Sequence, residues 1–220
     1  MTLREFFAEV LATTEGMTFS PMWEVTDMNT LCYDLCRIQI PDDILEEVSF
    51  EKEKMLYDEV FSGFNPKLIA KRGSYLVQLN YVLETFLPNN VTPYKKVTQT
   101  VYQTSKMLAK YKDLDAFVKE VNGKCSEKDD KKTFAFLDNF RLDYSLPSMF
   151  FNSACSFFSK TGILDVPYLS PSIKRVLFSK LSMEENNYSC FHILSLLMKI
   201  SDSCGYEVSQ RLEAYAKTLC

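Results

Sequence analysis

Histidine is nearly missing from this chain: His192 is the one such residue in 220. Chemistry that needs two histidines, such as HExxH zinc hydrolysis or a two-histidine redox metal, is excluded on that count alone. Glycine is scarce as well, with six residues, about half the usual share. So low a count argues against glycine-rich phosphate loops and against folds with many tight turns. No GxxxxGK[ST] and no GxGxxG motif occurs, which excludes nucleotide binding through those loops. Apolar runs of membrane-spanning length are also lacking. The longest stretches, Leu146 to Phe158 and Tyr188 to Ile200, are short and interrupted, whereas a span takes about 20 apolar residues. Met1 to Thr14 mixes apolar residues with Arg4, Glu5 and Glu9, the pattern of an amphipathic helix and not of a signal peptide. The expectation is a soluble protein of the cytoplasm or nucleus, not secreted and without a membrane partner.

Seven cysteines is an odd number, and with no secretory signal they read as reduced core thiols. Cys32 and Cys36 share a helix face, but a structural zinc site takes four ligands from two such pairs, and no second pair exists. Cys190-x-His192 lies in an apolar run. His192 itself, flanked by Phe191, Ile193, Leu194, Leu196 and Leu197, reads as a packed core histidine and not as a catalytic base. Neither a metal nor a cofactor is expected, and no catalytic residue is assigned.

What the chain does have is charge sorted into blocks. Residues 1–62 carry four basic and fourteen acidic side chains, net −10, while residues 63–112 carry eight basic ones against Glu84 alone, net +7. It also has clear helix starts. A capping residue followed by proline appears at Asn65-Pro66, Thr92-Pro93 and Ser170-Pro171, and Thr2 with Glu5 forms a capping-box pattern. Strand-like alternation is nearly absent. Periodicity places helices at 2–14, 24–38, 41–61, 66–88, 93–112, 113–121, 127–141, 147–160, 171–182, 187–203 and 206–219. The helices at 147–160 and 187–203 are apolar nearly all round and are expected at the centre. The fold class is therefore all-α: one globular bundle of about nine or ten helices spanning 1–220. The lysine- and aspartate-rich stretch 123–132 is its most exposed connection and the place where a boundary would fall.

Two surfaces stand out. The helical hairpin 66–112 turns Lys67, Lys71, Arg72, Lys95, Lys96, Lys106 and Lys110 outward, a set suited to an anion or a nucleic acid. Asp42, Asp43, Glu46, Glu47 and Glu51 form an acidic face suited to a basic partner. Because the two charge totals nearly cancel, the basic face is expected to dock on the chain's own acidic N-terminal helices. The functional reading is a non-enzymatic interaction or adaptor protein that binds another macromolecule, a protein first, through charged surfaces. The alternative is an RNA- or DNA-binding protein that uses the basic hairpin. Self-association is compatible with either reading.

Overall fold

Helix α1 (Leu3–Thr13) opens with the capping box that its sequence announces: the Glu5 amide donates to Thr2 Oγ1 (3.3 Å), and the Thr2 amide donates to Glu5 Oε2 (2.7 Å). In this computed structural model the described residues are 1–52, 54–73, 91–125, 130–146, 148–182, 189–200 and 205–219. They form α2 (Met28–Arg37), α3 (Asp42–Glu47), α4 (Lys54–Val60), a 3-10 turn (Ser62–Phe64), α5 (Pro66–Lys71) and α6 (Val91–Leu108). There follow α7 (Leu114–Lys124), α8 (Asp130–Asp143), α9 (Phe151–Thr161), α10 (Pro171–Leu181), α11 (Cys190–Ile200) and α12 (Gly205–Thr218). The fold is all-helical, with no strand among the described residues. Among them, too, no helix is long and apolar enough to cross a membrane. Asn65-Pro66 and Ser170-Pro171 start α5 and α10 as expected, whereas α6 begins at Val91, two residues ahead of Pro93. The helix expected at 66–88 ends instead at Lys71, with Arg72 as its C-cap (φ −96°, ψ 22°), and residues 74–88 of that expected span lie outside the described residues.

The helix expected at 41–61 is broken in two, and serine breaks it. Ser49 takes a left-handed conformation (φ 52°); its amide donates to Glu46 O (3.1 Å) and the next amide, Phe50, donates to Leu45 O (2.9 Å). That is a Schellman close with serine where glycine is usual. The same arrangement ends α8, with Ser145 at φ 55°, its amide on Leu142 O and the Leu146 amide on Arg141 O (2.9 Å). Ser62 and Ser182 are also left-handed. A chain with six glycines thus closes several of its described helices with serine, a residue that is strained there. Replacing Ser49 or Ser145 by glycine is expected to add about 0.5–1 kcal/mol each. A higher urea midpoint for Ser49→Gly, with no gain for Ser49→Ala, is the result to look for; equal midpoints for the two would remove the strain account. Gly162 is a different case: its φ is 70°, and a Cβ there would stand 2.4 Å from Pro21 Cγ, so a side chain is excluded twice over.

The chain divides into two compact units, 1–23 with 151–220, and 24–150. The stretch 123–132 lies inside the second. In the first unit, α12 packs against α1, α9, α10 and α11. It holds its neighbours by polar contacts as well as by Leu212 and Tyr215, both fully buried. The Tyr168 amide donates to Ser209 Oγ (2.8 Å), Gln210 Nε2 donates to Ser20 O (2.7 Å), and Arg211 donates to Thr14 O (3.0 Å) at the carboxyl end of α1. Tyr215 donates to Glu9, which also receives Lys180 Nζ at 3.3 Å; these contacts hold the Glu9 carboxyl below its ordinary range. Of the two apolar helices expected at the centre, α9 is buried nearly all round, through Phe157 and Phe158 in particular. The other, α11, buries Ile193, Leu194 and Leu197 but turns Phe191 and His192 outward, so the central place belongs to α12.

In the second unit, α2 packs on α5, α6 and the 3-10 turn, and α7 pairs with α8. An aromatic cluster of Tyr33, Phe50, Tyr57, Phe61 and Phe64 joins α2, the turn after α3, α4 and the 3-10 turn.

Candidate charged interaction surface

Helix α6 has no acidic residue in eighteen, and its rotation about its own axis is set by buried contacts. Val97, Thr98, Val101, Thr104, Ser105, Met107 and Leu108 form its inner side. Two polar contacts register that side against α2: Gln39 Nε2 donates to Thr104 Oγ1 (2.9 Å), and Ser105 Oγ lies 3.4 Å from Cys32 Sγ. A buried polar pair tolerates little rotation, because a lost partner leaves a desolvated donor or acceptor. The opposite side therefore faces solvent, and it carries Gln99, Gln103, Lys106 and Lys110 at helical spacing, all exposed. Lys95 and Lys96, expected on that side, are half-buried.

Helix α5 lies along α6 and extends the basic face with exposed Lys67, Lys71 and Arg72. Lys67 Nζ donates to Lys112 O (2.8 Å), tying the start of α5 to the turn after α6, and Arg72 donates to Ser62 Oγ (3.0 Å). Gly73 makes the approach of the two segments feasible, since a Cβ at that position would meet the Tyr102 hydroxyl at 2.8 Å.

The acidic residues of the expected partner face are exposed too: Asp42, Asp43, Glu46 and Glu47 on α3, and Glu51 after it. Glu51 pairs with Arg37, and Asp58 with Lys54 at 2.7 Å. Both partners come from the same acidic stretch. Among the described residues, no ion pair joins Lys67, Lys71, Arg72, Lys106 or Lys110 to an acid of residues 24–62. The internal neutralisation expected from the charge totals is thus not what these five residues adopt, because α6 meets α2 through its uncharged side. Within the 24–150 unit, residues 24–62 hold eleven acidic and three basic side chains, net −8.

A cleft of about 420 Å3 opens where α2, α5 and α7 begin, with Met28, Pro66, Leu108 and Leu114 among its apolar lining. Asp27, Asp113 and Asp115 face Lys67 and Lys112 there, so its formal charges nearly cancel. Two of the carboxylates are already engaged as helix caps: Asp27 accepts from the Asn29 and Thr30 amides, and Asp113 from the Ala116 amide. The sequence reading overlooked this cleft, although Asp27-x-x-Thr30 is a capping-box pattern that would have marked one wall of it.

Reactive groups are quiet. His192 is not in the core, as its apolar neighbours had suggested, but exposed in the first turn of α11, with Nδ1 2.7 Å from Ser189 Oγ. The His192 amide donates to the same oxygen (3.3 Å), which makes Ser189 the cap of the helix. The Cys190 thiol is pushed up by burial, against the pull of Lys174. Cys36 is fully buried and is raised by that burial and by hydrogen bonding with Cys32, so it presents no thiolate; Cys32 is buried beside it. Among the described residues, no group of three or more His, Cys, Asp or Glu side chains converges as metal ligands would.

No family model matches this chain, and no curated protein or solved structure matches it either.

Proposed function

We propose that this chain is a non-enzymatic interaction protein that takes an acidic macromolecular surface on the basic face of α5 and α6. The observation that carries the reading is the exposure of Lys67, Lys71, Arg72, Lys106 and Lys110 with no ion pair to an acid of residues 24–62 among the described residues. Uncompensated charge of one sign on a fixed scaffold steers association and raises the rate of encounter more than it raises final affinity. Lys106, in the last turn of α6, and Lys110, two residues past its end, set a short ladder of positive charge. Such a ladder suits a ridge of carboxylates. A phosphate backbone is the second occupant that the lysines favour, through counterion release.

The test is fluorescence polarisation of the full chain against labelled polyglutamate, single-stranded RNA and double-stranded DNA, at about 50 and 200 mM salt. We expect polyglutamate to bind at the lower salt and to weaken about tenfold or more at the higher. The double variant Lys106→Glu/Lys110→Glu should lose that binding with its melting temperature unchanged. Tighter binding of RNA or DNA, lost in the same variant, would transfer the site to nucleic acid. No binding of any probe at low salt would end the proposal.

A further inference from the structure

We infer that the acidic surface taken by this basic face is α3 of a second copy of the same chain, so that copies associate head to tail. The inference rests on the function proposed above and names its partner. Its ground is that one unit, residues 24–150, carries both faces: α3 with Asp42, Asp43, Glu46 and Glu47, and α5 and α6 with Lys67, Lys71, Arg72, Lys106 and Lys110. All nine side chains are exposed, and among the described residues no ion pair joins the two sets.

Each face is also held against its own repulsion. Asp42 and Glu46, and likewise Asp43 and Glu47, stand four residues apart on α3, and so do Lys106 and Lys110 along α6 and the turn that follows it. Like charges at that spacing oppose helix formation, whereas opposite charges brought against them relieve the strain. Each face presents like charges four positions apart in the chain, so the two are complementary in sign. Within one copy α6 meets α2 through its uncharged side, which leaves the match to be made between copies. The contact uses two different faces and is therefore heterologous, which produces rings or open chains instead of a closed two-fold dimer. Exposed pairs are individually weak and screened by salt, so the assembly should be shallow and salt-labile.

Sedimentation velocity of the full chain tests this at about 10 and 200 µM protein, in about 20 and 300 mM salt, spanning strong and weak screening. The weight-average sedimentation coefficient should rise with concentration at low salt and fall to the monomer value at high salt. Lys106→Glu/Lys110→Glu should remain monomeric throughout, as should Asp42→Lys/Glu46→Lys. An equimolar mixture of the two variants should associate again in pairs, because the first keeps the acidic face of α3 intact and the second keeps the basic face intact. The single changes Lys110→Glu and Glu46→Lys give the same comparison should a double variant fail to fold. A wild-type chain that stays monomeric at low salt overturns the inference, and so does association that survives both reversals or fails to return in the mixture. If the monomeric chain still binds polyglutamate or nucleic acid, the inference alone falls; if it binds neither, the proposed function falls with it.

Discussion

Phe50→Ala is expected to destabilise the 24–150 unit by about 3–5 kcal/mol, the usual range for removing a fully buried phenylalanine. Phe50 is 0% exposed. Its ring stacks on Tyr33 at 5.5 Å, tilts against Tyr57 at 4.9 Å and meets Phe64 edge-on at 5.9 Å. Aromatic pairs of this kind contribute beyond their buried area. The cluster cannot collapse around the gap, because each partner is held from another side. Tyr33 meets Phe64 at 5.1 Å, Tyr57 donates its hydroxyl to Val48 O at 2.8 Å, and Phe64 sits in a strained left-handed turn at φ 55°. A cavity lined by such groups persists, and its cost persists with it. The consequence extends to the surface. The Phe50 amide closes α3 on Leu45 O and persists in the variant, but the ring anchors that turn in the core, so its removal loosens the packing beneath the helix that presents Asp42, Asp43, Glu46 and Glu47. Urea unfolding followed by circular dichroism should show the midpoint falling steeply, with Phe50→Leu intermediate. A loss below about 1 kcal/mol would mean that the cluster rearranges and that the turn does not depend on it.

How much of this was legible beforehand follows from how local each signal is. Thr2 with Glu5, Asn65-Pro66 and Ser170-Pro171 act within one turn, and the helices they start open where they were expected, although the one at Pro66 closes at Lys71. The outward set Gln99, Gln103, Lys106 and Lys110 was legible for the same reason, since one apolar side of a single helix defines the other. The break at Ser49 was not, because a left-handed serine carries no mark that distinguishes it from a helical one. Nor was the central place of α12, whose contacts run through Ser209, Gln210 and Arg211 to backbone atoms 41 to 197 residues away. His192 shows the limit from the other direction: apolar neighbours on both sides along the chain say little about a helix position that faces outward. Charge totals misled in the same manner. They predict that opposite blocks attract, yet the packing of α2 on α6 is decided by Cys32, Gln39, Thr104 and Ser105, none of them charged.

Asp34→Asn is expected to stabilise the protein at pH 7, by about 1–2 kcal/mol. Asp34 lies on the packed side of α2, 8% exposed, between buried Leu31 and Leu35. Burial raises its carboxyl to about 6, while Arg37 and Lys54 pull the other way without overcoming it. Arg37 also pairs with Glu51, and Lys54 with Asp58 and the Tyr33 ring at 5.1 Å, so their charge is shared among several groups. The Tyr33 hydroxyl, pushed up to about 12 chiefly by burial, reports the same poorly solvated corner. The sign follows from proton uptake. Between the ordinary aspartate value near 3.8 and about 6, the folded state holds a proton that the unfolded state has released. Stability therefore falls as pH rises through that window; above it the full cost of a buried carboxylate remains, and below it the cost disappears. The factor is kept below the full two-unit conversion because the carboxyl retains some contact with water. Asparagine keeps the shape and carries no charge to bury, so its variant should show a higher urea midpoint at pH 7 and little difference from wild type near pH 4. An equal gain at both pH values would assign the effect to packing instead of charge. A loss at pH 7 would show that Arg37 and Lys54 stabilise the ionised group after all.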